Sequence, residues 1–145
     1  MLYRTGFRLF FVLCFTALFA LPLSAQGSAA SHVNGNWFAY EKGLDAVIVR
    51  LYQKNGMLHG VITHTFGEIP KRCGGCHGTK HNRRIIGMQL LKGMVWKQGK
   101  WRGKALYPAQ GRWYPCALWK KGSKLIVEVR YGGQRKILRI RRYRL

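Results

Sequence analysis

Acidic residues are nearly missing from this chain. Glu41, Asp45, Glu68 and Glu128 are the only four carboxylates in 145 residues, against 26 lysines and arginines, for a formal net charge of +22. Four acids scattered along the sequence offer no carboxylate pair for general acid–base work. Ser123 falls in a predicted turn, and no G-x-S-x-G, Walker or zinc-protease motif occurs. The composition therefore describes a protein that binds rather than one that catalyses. Long hydrophobic runs are also lacking. Leu9 to Leu21 is an apolar run, and it falls short of the roughly 20 residues that a transmembrane helix needs. Helical periodicity is absent beyond that run, except for a turn or two near Ile86 to Lys92.

The apolar run has a different reading. Arg4 and Arg8 precede it and Pro22-Leu23-Ser24-Ala25 follows it, the pattern of a secretory signal peptide over residues 1–25 with cleavage after Ala25. An uncleaved membrane anchor is the competing reading, and the shortness of the run argues against it. Residues 26–33 are small and polar and read as a flexible leader. Residues 34–145 then form one domain, in a periplasmic or secreted protein whose cysteines meet an oxidising environment. Without Arg4 and Arg8, 24 basic residues still face four acids, a net charge of +20. Such a field attracts anionic lipid, lipopolysaccharide or acidic glycan, with nucleic acid ranked lower for an exported chain. A merely solvated basic surface explains the charge equally well.

What fills the mature chain is short alternating segments. Trp37 to Tyr40 opens a first strand. In Ala46 to Lys54, Val47, Val49 and Leu51 share one face while Ile48, Arg50 and Tyr52 share the other. Asn55-Gly56 is a hairpin signal, because both central positions of a type I′ turn need positive φ. Further strands are predicted over Met57 to Phe66, Ile85 to Leu91 with Val95-Trp96, Trp101 to Tyr107, Arg112 to Lys120, Lys124 to Tyr131 and Gln134 to Arg144. Gly93 marks a bend or bulge. Eight or nine hairpin-linked strands must close or leave edges. The expected fold is an all-β, up-and-down antiparallel barrel, with a two-sheet sandwich as the alternative. On the last strand, Leu138 and Ile140 face inward and a period-two count puts Arg142 next. Its guanidinium either stacks on the indole of Trp37 or stays in solvent.

Gly35-Asn36-Trp37, the Val47 to Ile62 run, the Cys-x-x-Cys loop, Ile86-Gly87-Met88, Lys104 to Tyr114 with Pro108 and Gly111, and Tyr131-Gly132 occur in that order. Together they resemble the bacterial exported family called domain of unknown function 2147. The resemblance spans Asn34 to Arg142. It implies a lipocalin-like barrel closed through Gly35, Trp37 and Arg142, and it implies no particular biochemical role. The chain departs from that family at Tyr107, where an Asp-Pro is usual, and at Ile140, where a Trp is usual. Its basicity is also atypical.

The residues with specific chemistry lie in Lys71 to His81. Cys73, Cys76 and His77 spell the C-x-x-C-H motif that attaches c-type haem, with Met88, Met94 or His81 available as second axial ligand. Gly74, Gly75 and Gly78 are poor formers of the helix that motif normally occupies. Cys73, Cys76, His81 and Cys116 could supply four zinc ligands, in competition with disulfide formation. The simplest reading is a Cys73–Cys76 disulfide across a Gly-Gly turn, with Cys116 a buried thiol and no metal or cofactor. A bridge from Cys116 to the loop stays open. The overall expectation is a non-enzymatic binding protein for a small apolar or amphipathic ligand, with adhesion of the cationic surface to anionic polymers and c-type haem as alternatives.

Overall fold

The computed structural model describes residues 30, 32–41, 44–67, 71–108 and 110–144. The expected signal peptide over 1–25 lies outside the described residues. Eight strands run in order: β1 (Gly35–Glu41), β2 (Leu44–Lys54), β3 (Met57–Thr65), β4 (Gln89–Lys97), β5 (Lys100–Tyr107), β6 (Arg112–Lys121), β7 (Lys124–Tyr131) and β8 (Gln134–Arg142). Each pairs antiparallel with the next, and β8 pairs back onto β1 to close a barrel. The alternative, a two-sheet sandwich, is excluded by that seam, where Trp37 faces Arg142 and Phe38 faces Arg141. Closure leaves no strand edge among the described residues to template aggregation.

Local chemistry sets the hairpins. Asn55 (φ 53°) and Gly56 (φ 71°) take the positive φ values expected of a type I′ turn between β2 and β3. The ladder then carries alternation around the barrel. Val49 sits opposite Trp37 on one side and Ile62 on the other, so all three project to the same face. Between β4 and β5 the register slips at Lys92–Val95, and Gly93 has φ 60° there. Gly103 faces this bulge. A Cβ on it would stand 2.6 Å from the Lys92 carbonyl oxygen and 2.7 Å from that of Gly93.

β4 begins at Gln89, four residues later than the expected Ile85. The Ile85 N–H is bonded to the Lys71 carbonyl instead (3.0 Å), inside the loop that precedes β4. The helical turn expected near Ile86 does not form either. A 3-10 turn occurs at Gly78–Lys80 instead.

Two buried clusters result. The larger fills one end of the barrel with Trp37, Leu58, Met94, Trp101, Leu118 and Leu125. Ala30 and Val33 belong to it, while residues 26–29 and 31 of the expected leader lie outside the described residues. The Trp37 indole N–H donates to the Val33 carbonyl (2.7 Å), and the Gln53 amide donates to that of Ala30 (2.8 Å). Those bonds tie Val33 and Ala30 to β1 and β2. The smaller cluster joins Ile62 and Leu106 to Cys73, Cys76, Ile85 and Met88 of the long β3–β4 loop.

The outer wall is charged. Arg50, Arg102, Lys104 and Arg139 are exposed on it in mid-strand. A cation on the lipid face of a membrane-spanning barrel costs about 2–4 kcal/mol at the midplane. A cylinder apolar within and cationic without is therefore built for water outside. No helix among the described residues is long and apolar enough to cross a membrane.

Candidate functional site

Inside the barrel is a cavity of about 400 Å³. Its floor is Leu118, Leu125 and Leu51, and its walls include Val49, Leu91, Ala105, Val127, Leu138 and Ile140. These are the inward positions of alternating strands, so the apolar lining follows from the period-two pattern. The open end is different. Tyr107, Gln110, Tyr114, Tyr131 and Lys136 surround it, at the end of the barrel where β5 turns into β6 and β7 into β8. The Tyr114 hydroxyl donates to Gln110 Oε1 (2.5 Å), and the Tyr114 and Tyr131 rings meet edge-to-face at 5.8 Å. Among the described residues lining the cavity, Lys136 carries the only charge. The site is thus an apolar well with a polar, singly cationic rim. Cavities of 300–1,000 Å³ with few polar groups are the usual form of small-molecule sites.

Cys116 shares the inward face of β6 with Tyr114 and Leu118 and is buried. Burial, with the nearby Glu128 carboxylate adding to it, pushes the Cys116 thiol up from an ordinary 9.0 to about 12. A thiol so protonated is a poor nucleophile at neutral pH.

The Cys/His loop packs beside the cavity rather than lining it. Cys73 and Cys76 are joined by a disulfide with Cα atoms 5.4 Å apart, at 1 % and 2 % exposure. Bonded to each other, they leave no thiol for a haem thioether, and residues 73–77 are not helical. His77 is exposed, and His81 Nδ1 lies 3.0 Å from the Cys76 carbonyl. Met88 sits in the small cluster and Met94 in the barrel core, so the axial-ligand candidates are scattered. The zinc set is dispersed as well, since Cys116 faces the barrel interior. Among the described residues no three His, Cys, Asp or Glu side chains are placed to hold a metal. The loop is held by Cys73 N–H to Arg83 O (2.8 Å) and Asn82 N–H to Cys73 O (3.0 Å). Lys80 lies 4.2 Å over the Trp113 ring, and desolvation, then Lys92 and Arg83, lowers its pKa. Gly111 in the β5–β6 turn touches the backbone of Gly75 and Cys76, so a side chain there would collide with the loop.

At the opposite end, the Arg142 guanidinium lies 4.8 Å over the Trp37 ring and donates to the Asn34 carbonyl. It does so while remaining solvent-exposed, so stacking and exposure coexist. Gly35 (φ 119°) sits beneath it, and a Cβ there would strike the guanidinium.

The family model of DUF2147, described as an uncharacterized protein conserved in bacteria, matches residues 35–139. The chain belongs to that family. The DUF2147 match covers every strand but the last three residues of β8. A solved structure described as protein HP1028 from the human pathogen Helicobacter pylori, belonging to the lipocalin family, superposes with a TM-score of 0.67 at 18% identity, over 77% of this chain and 82% of that one. At that identity the likeness shows a lipocalin-like fold. No curated protein matches the chain. Tyr107 and Ile140 of this DUF2147 member both line the cavity.

Sequence reasoning did not single out Lys136, Tyr107, Gln110 or Tyr131 as a site. The signal was present for Lys136: two residues before Leu138 and four before Ile140, it falls on the inward face by period two. Its neighbours Gln134 and Arg135 hid it among turn residues.

Proposed function

We propose that this protein is an exported, non-enzymatic carrier that binds a small amphipathic molecule in its barrel, apolar tail down and anionic head at the Lys136 rim. The observation that carries this is the 400 Å³ apolar well ending in a rim of tyrosines, one amide and one ammonium. A water occupies about 30 Å³ of liquid, so the well holds on the order of a dozen groups of that size, the scale of one short acyl chain rather than a two-tailed lipid. Release from water of that chain drives binding, at about 0.8 kcal/mol per buried methylene. The head group sets orientation, since an ammonium favours a carboxylate, sulfate or phosphate over a neutral alcohol. Export is supported by the signal-like leader and by a disulfide of the kind that persists outside the cytoplasm.

Calorimetric titration with decanoic acid, whose chain is of the size the well holds, tests it. The expected result is a heat of binding that saturates at one acid per barrel and is little changed by salt, because the chain is held inside. Ile140→Trp, which sets an indole into the cavity, abolishes that signal while the protein stays folded. Lys136→Met weakens the acid about tenfold, equivalent to ~1.4 kcal/mol, and leaves the matching alcohol unchanged. Undiminished binding by folded Ile140→Trp would show that the probe sits elsewhere and would overturn the reading.

A further inference from the structure

The charge of the molecule is not spread evenly by kind, and one stretch of outer wall combines it with aromatic rings. Phe38 projects outward from β1, and three side chains gather on it. The Phe66 ring centre is 6.0 Å away, the Tyr143 ring is stacked at 6.5 Å and 24°, and the Arg141 guanidinium carbon lies 4.9 Å over the ring. Ile48, opposite Phe38 in the ladder, is sealed beneath them at 1 % exposure although it belongs to the outer face. The cluster is not fully covered: Phe66 is 42% exposed, and Tyr40, at the register shift two residues along β1, is 62% exposed. Cations frame it. Lys124 pairs across from Arg141, Arg139 is two residues along β8, and Arg50 faces Asn36 from β2. All three are exposed. On the neighbouring β7, Glu128 is already engaged by Arg130 (3.1 Å) and Arg135 (3.7 Å).

We infer that this wall, where β8 meets β1 and β2, docks the protein on an anionic lipid bilayer. The inference is independent of the cavity. Aromatic side chains with one apolar and one polar end favour the headgroup layer, and arginine and lysine beside them meet lipid phosphates. The ring arrangement favours a bilayer over nucleic acid. Arg141 and Tyr143 already lie against Phe38, which removes its face as a platform for a base, whereas ring edges and tyrosyl hydroxyls suit an interface. Docking this way leaves the open end of the barrel beside the surface, within reach of a molecule leaving the bilayer.

Sedimentation with vesicles of phosphatidylcholine, with and without phosphatidylglycerol, tests the inference. The purified protein binds the anionic vesicles and not the neutral ones. Arg139→Ser with Arg141→Ser weakens that binding about thirtyfold, the loss expected for two cations near an anionic surface. Arg102→Ser with Lys104→Ser, on β5 across the barrel, removes equal charge and changes it less than threefold. Tyr40→Ser with Phe66→Ser lowers the part of the binding that survives high salt. Should the first pair disturb folding, Arg50→Ser with Lys124→Ser carries the same expectation. Equal losses from the β8 and β5 pairs, equal binding to neutral vesicles, or tighter binding to single-stranded DNA through the same aromatics would each overturn it.

Discussion

Removing the Arg142 side chain should loosen the seam that closes the barrel, and the size of the effect can be worked from its contacts. β1 and β8 share only two register pairs, Trp37 with Arg142 and Phe38 with Arg141, so the seam has few ladder bonds of its own. Arg142 adds a charge-assisted hydrogen bond to the Asn34 carbonyl and a cation–π contact with Trp37. A buried version of that hydrogen bond contributes about 1.5–3 kcal/mol, and the cation–π contact about 0.5–1 kcal/mol at an exposed site. Because the guanidinium is exposed, screening discounts the first, and Arg142→Ala should cost about 2 kcal/mol. Urea unfolding reads this directly: with a slope of about 1–3 kcal/mol/M, the midpoint should fall by roughly 1 M at unchanged slope. Gly35 provides the control. Its φ of 119° and its contact with the guanidinium mean that Gly35→Ala strains the backbone and displaces Arg142 together. The double variant should then cost less than the two single losses added, by about 1 kcal/mol, as expected for residues sharing a contact. Strict additivity, or an Arg142→Ala midpoint within error of the parent, would refute the seam reasoning.

Two further outcomes follow from the cysteines. Cys73→Ala with Cys76→Ala opens a loop whose ends are three residues apart, worth about 2 kcal/mol by chain entropy. Calorimetry should show a melting point lower by several degrees, with decanoic acid still bound; an unchanged melting point would mean that the backbone bonds of the loop suffice. Cys116 imposes a pH dependence. Its folded-state pKa of about 12 exceeds the ordinary 9.0, so its contribution is complete below about pH 9 and is lost between about pH 9 and about pH 12. The loss runs at about 1.4 kcal/mol per pH unit, as the unfolded thiol ionises and the buried one does not. Urea midpoints compared with those of Cys116→Ala across that window should converge as pH rises, and parallel curves would count against a buried, protonated thiol.

How far the fold was legible can be judged from particular residues. Asn55-Gly56, Lys121-Gly122 and Gly132-Gly133 punctuate the chain into strands whose apolar residues alternate, and positive-φ turns between period-two runs leave an antiparallel meander as the solution. The sealing of its ends, and hence a barrel, was expected because open edges are unfavourable. The Cys73–Cys76 bridge was legible as one of several readings, because three-residue spacing permits it without requiring it.

The sequence by itself determined which residues share a face, because side-chain direction in a strand is a local property. Only the tertiary structure decided what each face meets, because that depends on neighbours far away in the chain. Ile48 and Glu128 belong to the outer face and are nevertheless buried, one under Phe38 and Phe66, the other beneath arginines 130 and 135. Val33 reads as part of a loose leader, yet it closes the barrel floor once Trp37 offers its indole N–H. Lys136 looks like one more surface cation until the cylinder closes and sets it at the rim of an apolar well.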